Sequence, residues 1–167
     1  MKINILTFFA GMIVLFSGCE MSKSLVSARL ISNSGCKSSA VNADKPNLAA
    51  LADSLSCVDY KYNVVNKTLT MLHRNAGFNC CPGQLSCKAH ISNDTIYVQE
   101  FEKKSGCKCQ CLYDLNIELT GVKAGTYQIE FIEPYLENQE KISFELDLNN
   151  EIVNSYCVVR TNYPWNK

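Results

Sequence analysis

The strongest constraint on the fold is a two-residue rhythm of apolar and polar side chains after Cys57. Val58, Tyr60, Tyr62 and Val64 alternate with Asp59, Lys61 and Asn63. Leu69, Met71 and His73 alternate with Thr70 and Leu72, and Cys87, Ala89 and Ile91 with Lys88 and His90. The segment Thr95 to Phe101 is rich in β-formers. The rhythm returns in Tyr113–Leu119, Tyr127–Phe131 and Ile142–Leu148, and more weakly in Val158–Tyr163. Successive side chains of a strand point to opposite faces, so each run offers one face to a core and one to water. Turn-forming residues separate the runs: Ser92-Asn93-Asp94, Gly121 through Gly125, Glu133-Pro134 and Asn149-Asn150. The pattern predicts an all-β fold, an antiparallel β-sandwich of seven or eight strands over residues 55–167.

The chain carries ten cysteines, and they cluster. Cys80 and Cys81 are adjacent, and Cys107, Cys109 and Cys111 alternate with Lys108 and Gln110. Adjacent Cα atoms lie about 3.8 Å apart, which strains a bridge between Cys80 and Cys81. Same-face neighbours on a strand lie about 6.7 Å apart, at the limit of disulfide reach. The two clusters are therefore expected to bridge each other, with Cys80 and Cys81 taking two of Cys107, Cys109 and Cys111. Cys36, Cys57, Cys87 and Cys157 supply the remaining candidates. If the strand holding Cys111 runs back without a break, all three of its thiols face the core. The alternative is a Cu or Zn site built from His73, Cys80, Cys81, Cys107, Cys109 and Cys111, all ligands suited to those metals. A flat strand spaces its sulfurs too widely for a tetrahedral centre, and no Cys-x-x-Cys turn occurs anywhere. Disulfides with no cofactor are thus the expectation, and metal the alternative.

The beginning of the chain explains why oxidation is expected. Lys2 precedes an apolar run from Ile5 to Phe16 that is too short to span a bilayer, which needs about 20 residues. Leu15-Phe16-Ser17-Gly18-Cys19 follows and resembles the bacterial lipobox, with Phe16 where Leu is commoner. The resemblance implies a signal peptide over 1–18, removed before Cys19, and lipid on the Cys19 thiol. The chain would then sit in the cell envelope, outside the cytoplasm, where thiols tend to pair. Nine cysteines remain besides Cys19, so one is left over in a monomer. Residues 19–54 read as a lipidated tether rich in Ser, Asn, Lys and Ala. A short helix is expected near Asn47–Leu55, with Leu48, Leu51 and Leu55 on one side.

Sixteen basic and sixteen acidic residues cancel, which argues against a nucleic-acid surface. From Leu112 onward, nine acidic residues stand against four basic ones, as expected of solvated strand faces. No Gly-x-Ser-x-Gly, His-Glu-x-x-His or phosphate-loop motif is present. The reading is of a non-enzyme, with an unrecognised hydrolase using His73 as a second alternative; His90 falls on an outer face. Asp53-Ser54-Leu55 and Asp94-Thr95-Ile96 resemble bacterial O-glycan acceptor tripeptides, at Ser54 and Thr95. Ala124-Gly125-Thr126-Tyr127 resembles the approach to a tyrosine corner, which implies an Ig-like sandwich; an antibody-type domain would carry Cys at Ile129. The run His73 to Cys81, then Cys107 to Tyr113 and Gly125-Thr126-Tyr127, resembles a family of uncharacterised bacterial secreted domains. That resemblance implies a fold and no activity. The partners expected are the membrane, through the lipid, and an envelope protein or glycan. Tyr163 and Trp165 would cap the sandwich or contribute to such a surface.

Overall fold

The computed structural model describes residues 26–37, 52–103 and 107–162. The signal segment, Cys19, residues 47–51 of the expected helix, Tyr163 and Trp165 lie outside the described residues. The fold is all-β, with nine strands in two packed sheets among the described residues. The first sheet contains β1 (Ser27–Asn33), β2 (Leu55–Asn63), β3 (Thr68–Asn79), β6 (Gln110–Thr120) and β9 (Ile152–Val159). Its order is β1-β6-β3-β2-β9. The second contains β4 (Gln84–Ser92), β5 (Thr95–Lys103), β7 (Thr126–Ile132) and β8 (Ser143–Asp147), in the order β4-β5-β7-β8.

The alternation places the core. Val58, Tyr60 and Tyr62 of β2, Leu69 and Met71 of β3, and Tyr113, Leu115, Ile117 and Leu119 of β6 are buried. They meet Ile96, Val98, Ile129, Phe131, Phe144 and Leu146 of the opposite sheet in one cluster. Phe144 stacks between Tyr60 and Tyr156, with ring centroids 5.2 and 4.7 Å away. Burying one such aliphatic or aromatic side chain contributes about 1.5–3 kcal/mol. Tyr62 resolves its polar end by donating its hydroxyl to the Val122 carbonyl at 2.9 Å.

Four features differ from the sequence expectation. Ser27–Asn33, assigned to the tether, is β1: it pairs with β6, and Ala28 and Leu30 pack against the core. Leu55, assigned to a helix, opens β2. Val64 is exposed because β2 stops at Asn63, whose side chain caps the turn by accepting from the N–H groups of Val65 and Asn66. The sheets are not wholly antiparallel, since β5 and β7 pair in parallel. Between them the chain crosses to the first sheet as β6 and returns in the direction of β5, a connection no hairpin turn makes. The expected turn at Asn93-Asp94 is present, with φ of 47° and 57°, the backbone of the tight hairpins that join antiparallel strands. Gly125, before β7, has φ of +152°, and a Cβ there would lie 3.4 Å from the Tyr127 ring.

Candidate functional site

Two constellations of chemically active side chains stand out, and the sequence showed only one of them. The first is the cysteine pole. The β3–β6 ladder ends at Asn79 opposite Gln110, and both chains then leave the sheet. Cys80 bridges Cys109 and Cys81 bridges Cys107, with Cα atoms 5.4 and 6.1 Å apart. Two of the three expected partners of the Cys80-Cys81 pair are thereby chosen. Cys111, one residue inside β6 and buried, bridges Cys36 instead, at a Cα separation of 5.8 Å. Cys57 and Cys157 face each other across β2 and β9, 4.0 Å apart at Cα, and form the fourth bridge. Among the described residues Cys87 is the unpaired thiol, buried on β4; burial, then the charge of Glu100, pushes it up to about 11.

The expectation that Cys107, Cys109 and Cys111 share one inward face holds for Cys111 alone. Cys107 and Cys109 are exposed, because β6 begins only at Gln110. What holds their segment off the ladder is Asn79. Its side-chain amide donates to the Cys107 carbonyl at 2.8 Å, and its side-chain oxygen accepts the Cys81 N–H at 3.0 Å. Its own N–H donates to Glu102 at 2.8 Å, and its carbonyl accepts the Tyr113 hydroxyl at 3.0 Å. The Cys80 N–H reaches the Cys109 carbonyl at 3.0 Å. The sulfurs of Cys80, Cys81, Cys107 and Cys109 all lie within 4.8 Å of one another. Of the six ligands considered for a metal, these four come together. Cys111 is committed to Cys36, and the ring nitrogens of His73 are committed elsewhere.

His73 belongs to the second constellation, a charged network enclosed between the sheets. His73 Nε2 lies 2.9 Å from Ser56 Oγ and Nδ1 lies 2.7 Å from Glu100 Oε1. Glu133 Oε1 is 3.9 Å from Nε2, and Glu133 Oε2 accepts from Arg160 Nη2 at 2.6 Å. Arg160 also donates to the Glu140 carbonyl. Ser56, His73, Glu100, Glu133 and Arg160 are all buried. Burial pushes the imidazole down, but Glu100, by charge and by hydrogen bond, and Glu133 outweigh it and hold the pKa above the usual histidine value. Burial lifts the Glu133 carboxyl, against the pull of His73 and Arg160. With His73 protonated and both carboxyls ionised, two cations would meet two carboxylates and the network would be neutral.

Ser56, His73 and Glu100 have the connectivity of a hydrolytic relay. The enclosure works against that chemistry. Neither Ser56 nor His73 has any exposed surface. The cleft of 320 Å³ beside Glu100 is lined by Phe101, Glu102, Ile132 and Tyr135, and neither Ser56 nor His73 lines it. A protonated His73 also donates to Ser56 Oγ, the reverse of what a general base does. Sequence reading missed Ser56, Glu100, Glu133 and Arg160. The available signal was phase: Ser56 is in step with Val58, Glu100 with Ile96 and Val98, and Arg160 with Val158.

The other sites considered from the sequence are scattered. His90 lies on the outer face of β4, stacked on Tyr97 with ring centroids 4.8 Å apart. Ser54 sits in an exposed turn before β2, and Thr95 opens β5 directly after the hairpin. No protein-family model, no curated protein and no solved structure matches the chain.

Proposed function

We propose that this chain is a lipoprotein of the cell envelope, anchored outside the cytoplasm by lipid on Cys19. Its disulfide-stapled sandwich serves as a binding or structural module for an envelope protein or glycan. The observation that carries the reading is the pairing of eight of the nine cysteines other than Cys19 into four bridges. Such bridges persist in oxidising compartments and are rare in the cytosol. The lipobox-like run ending at Cys19 supplies an anchor consistent with that compartment. More than one acyl chain makes such an anchor durable, at roughly 0.8 kcal/mol for each buried methylene.

The test is mass spectrometry of the chain isolated from bacterial membranes, with thiols counted before and after reduction. The expected N-terminal peptide starts at an acylated Cys19, and Cys87 is the single reactive thiol after unfolding without reductant. Cys19→Ser should release the protein from the membrane fraction. An unacylated N-terminus at another residue, or five free thiols in the folded protein, would overturn the reading.

A further inference from the structure

We infer that the cysteine pole is a redox-gated zinc site: Cys80, Cys81, Cys107 and Cys109 hold one Zn²⁺ as thiolates when their two bridges are reduced. This goes beyond the anchoring reading and does not depend on it.

Three observations carry the inference. The four sulfurs already lie within 4.8 Å of one another. Tetrahedral zinc thiolate, with Zn–S bonds of about 2.3 Å, requires sulfurs about 3.8 Å apart, so the unbonded pairs must close by about 1 Å at most, while each bonded pair, once reduced, must open from about 2 Å to about 3.8 Å. All four lie outside the strands, so their rearrangement breaks no ladder pairing. The constellation also does not rest on the bridges alone. Asn79 binds both segments through its side chain, the Cys80 N–H binds the Cys109 carbonyl, and the Gly83 N–H binds the Lys103 carbonyl at 2.9 Å. These bonds remain when the sulfur–sulfur bonds are cut, and they preorganise the ligands as outer-shell partners do. Finally, the four cysteines are partly or fully exposed, so an ion has access. In sequence, Lys108 separates two of the ligands, Cys107 and Cys109. Four thiolates in tetrahedral array select zinc over the harder divalent ions.

The two states exclude each other. Two equivalents of a dithiol reductant cleave the bridges; each reductant becomes a disulfide, and four protein thiols form. Binding of Zn²⁺ then releases four protons. Oxidation by two equivalents of a small-molecule disulfide takes up four protons, re-forms both bridges, yields four reduced thiols and frees the ion.

The experiment uses the purified full chain, reduced with a dithiol, desalted without oxygen and titrated with Zn²⁺ against a chromophoric chelator. X-ray absorption at the zinc edge follows. One equivalent should bind, with four sulfurs at about 2.3 Å. Cys107→Ser/Cys109→Ser should abolish stoichiometric binding, Cys36→Ser should leave it unchanged, and Asn79→Ala should weaken it about 10–100-fold. Adding the small-molecule disulfide should release the zinc. Failure of the reduced wild type to bind one equivalent, for whatever cause including loss of its fold, would overturn the inference. So would nitrogen or oxygen ligands in the absorption spectrum, a reading that needs no variant.

Discussion

Replacing His73 by Gln tests the enclosed network most directly. The amide keeps some hydrogen-bonding capacity toward Ser56 and Glu100 but carries no charge. In the wild type, His73 is paired with Glu100 at 2.7 Å, and neither side chain is more than 1% exposed. Without the imidazolium, Glu100 and Glu133 face Arg160 alone, and a net negative charge is left between the sheets. Breaking a buried pair in this way costs about 3–5 kcal/mol. The loss should depend on pH, and its direction follows from the raised pKa of His73. A group whose pKa is higher folded than unfolded contributes fully below its unfolded value, here about 6.5. That contribution is lost as pH rises through the folded value. The slope is at most about 1.4 kcal/mol per pH unit for one proton.

Glu133, also lifted by burial, acts in the same direction, so the informative quantity is the difference between wild type and variant. Urea unfolding at a series of pH values from mildly acidic to mildly basic should show the two proteins furthest apart at the acid end. They should converge as the wild type loses the His73 proton. A difference that stays constant across the series, or a total loss under about 1 kcal/mol, would refute the charge account and leave His73 as ordinary packing.

The Cys57→Ala/Cys157→Ala variant opens a link spanning 100 residues. It should lose about 2–5 kcal/mol, read as a lower urea midpoint. Asn75 has φ of 61° at the bulge in β3 and bonds Lys37, Asp114, Ala52 and Leu55. Asn75→Ala should therefore be less stable than Asn75→Gly by about 1–2 kcal/mol, because only glycine takes that backbone without strain; equal midpoints would contradict this. Cys87, buried and pushed up to about 11, should react with an alkylating reagent at pH 8 only as fast as the sandwich opens; immediate labelling of the folded protein would contradict its placement.

Much of the sandwich was legible because burial on a strand repeats every two residues, and β2, β3 as far as His73, β6, β7 and the Ile142–Leu148 segment keep that phase. Where the phase breaks, the sequence misleads. In β3, His73 faces inward and so do Ala76 and Phe78, an odd step that the bulge at Asn75 absorbs. Asn in a strand otherwise reads as a turn residue, so nothing local announced a bulge stabilised by Lys37 and Asp114 from distant segments. Strand β1 was illegible for a related reason. Ser27–Asn33 has only Ala28 and Leu30 facing the core, and it is held by pairing with β6 and by the Cys36–Cys111 bridge. With β1 unseen, Cys36 had no place, and Cys111 remained an equal candidate for Cys80 and Cys81. The charged network was half legible. Ser56, His73 and Glu100 stand at core phases in their strands, and Glu133 and Arg160 follow directly after β7 and β9, but five separate stretches of chain must meet before they become partners.

The placement of the bridges gives that network its weight. Cys57–Cys157 ties the edge strand β9 to β2, Cys36–Cys111 ties the tail of β1 to β6, and the other two join the exit of β3 to the approach to β6. Every one of these strands belongs to the first sheet, so no bridge joins one sheet to the other. Antibody-type domains, by contrast, are stapled through the core between sheets. What joins the sheets across the interior is apolar packing together with Ser56 and His73 of the first sheet, Glu100 of the second, and Glu133 just beyond β7. Arg160, from beyond β9, completes the connection. Apolar contacts alone tolerate sliding by one side chain, whereas a buried carboxylate that loses its partner costs several kcal/mol. The ionic network therefore holds the second sheet on the first, together with the bond from the Asn79 N–H at the end of β3 to Glu102 of β5, and the bridges hold the edges and the cysteine pole of the first sheet.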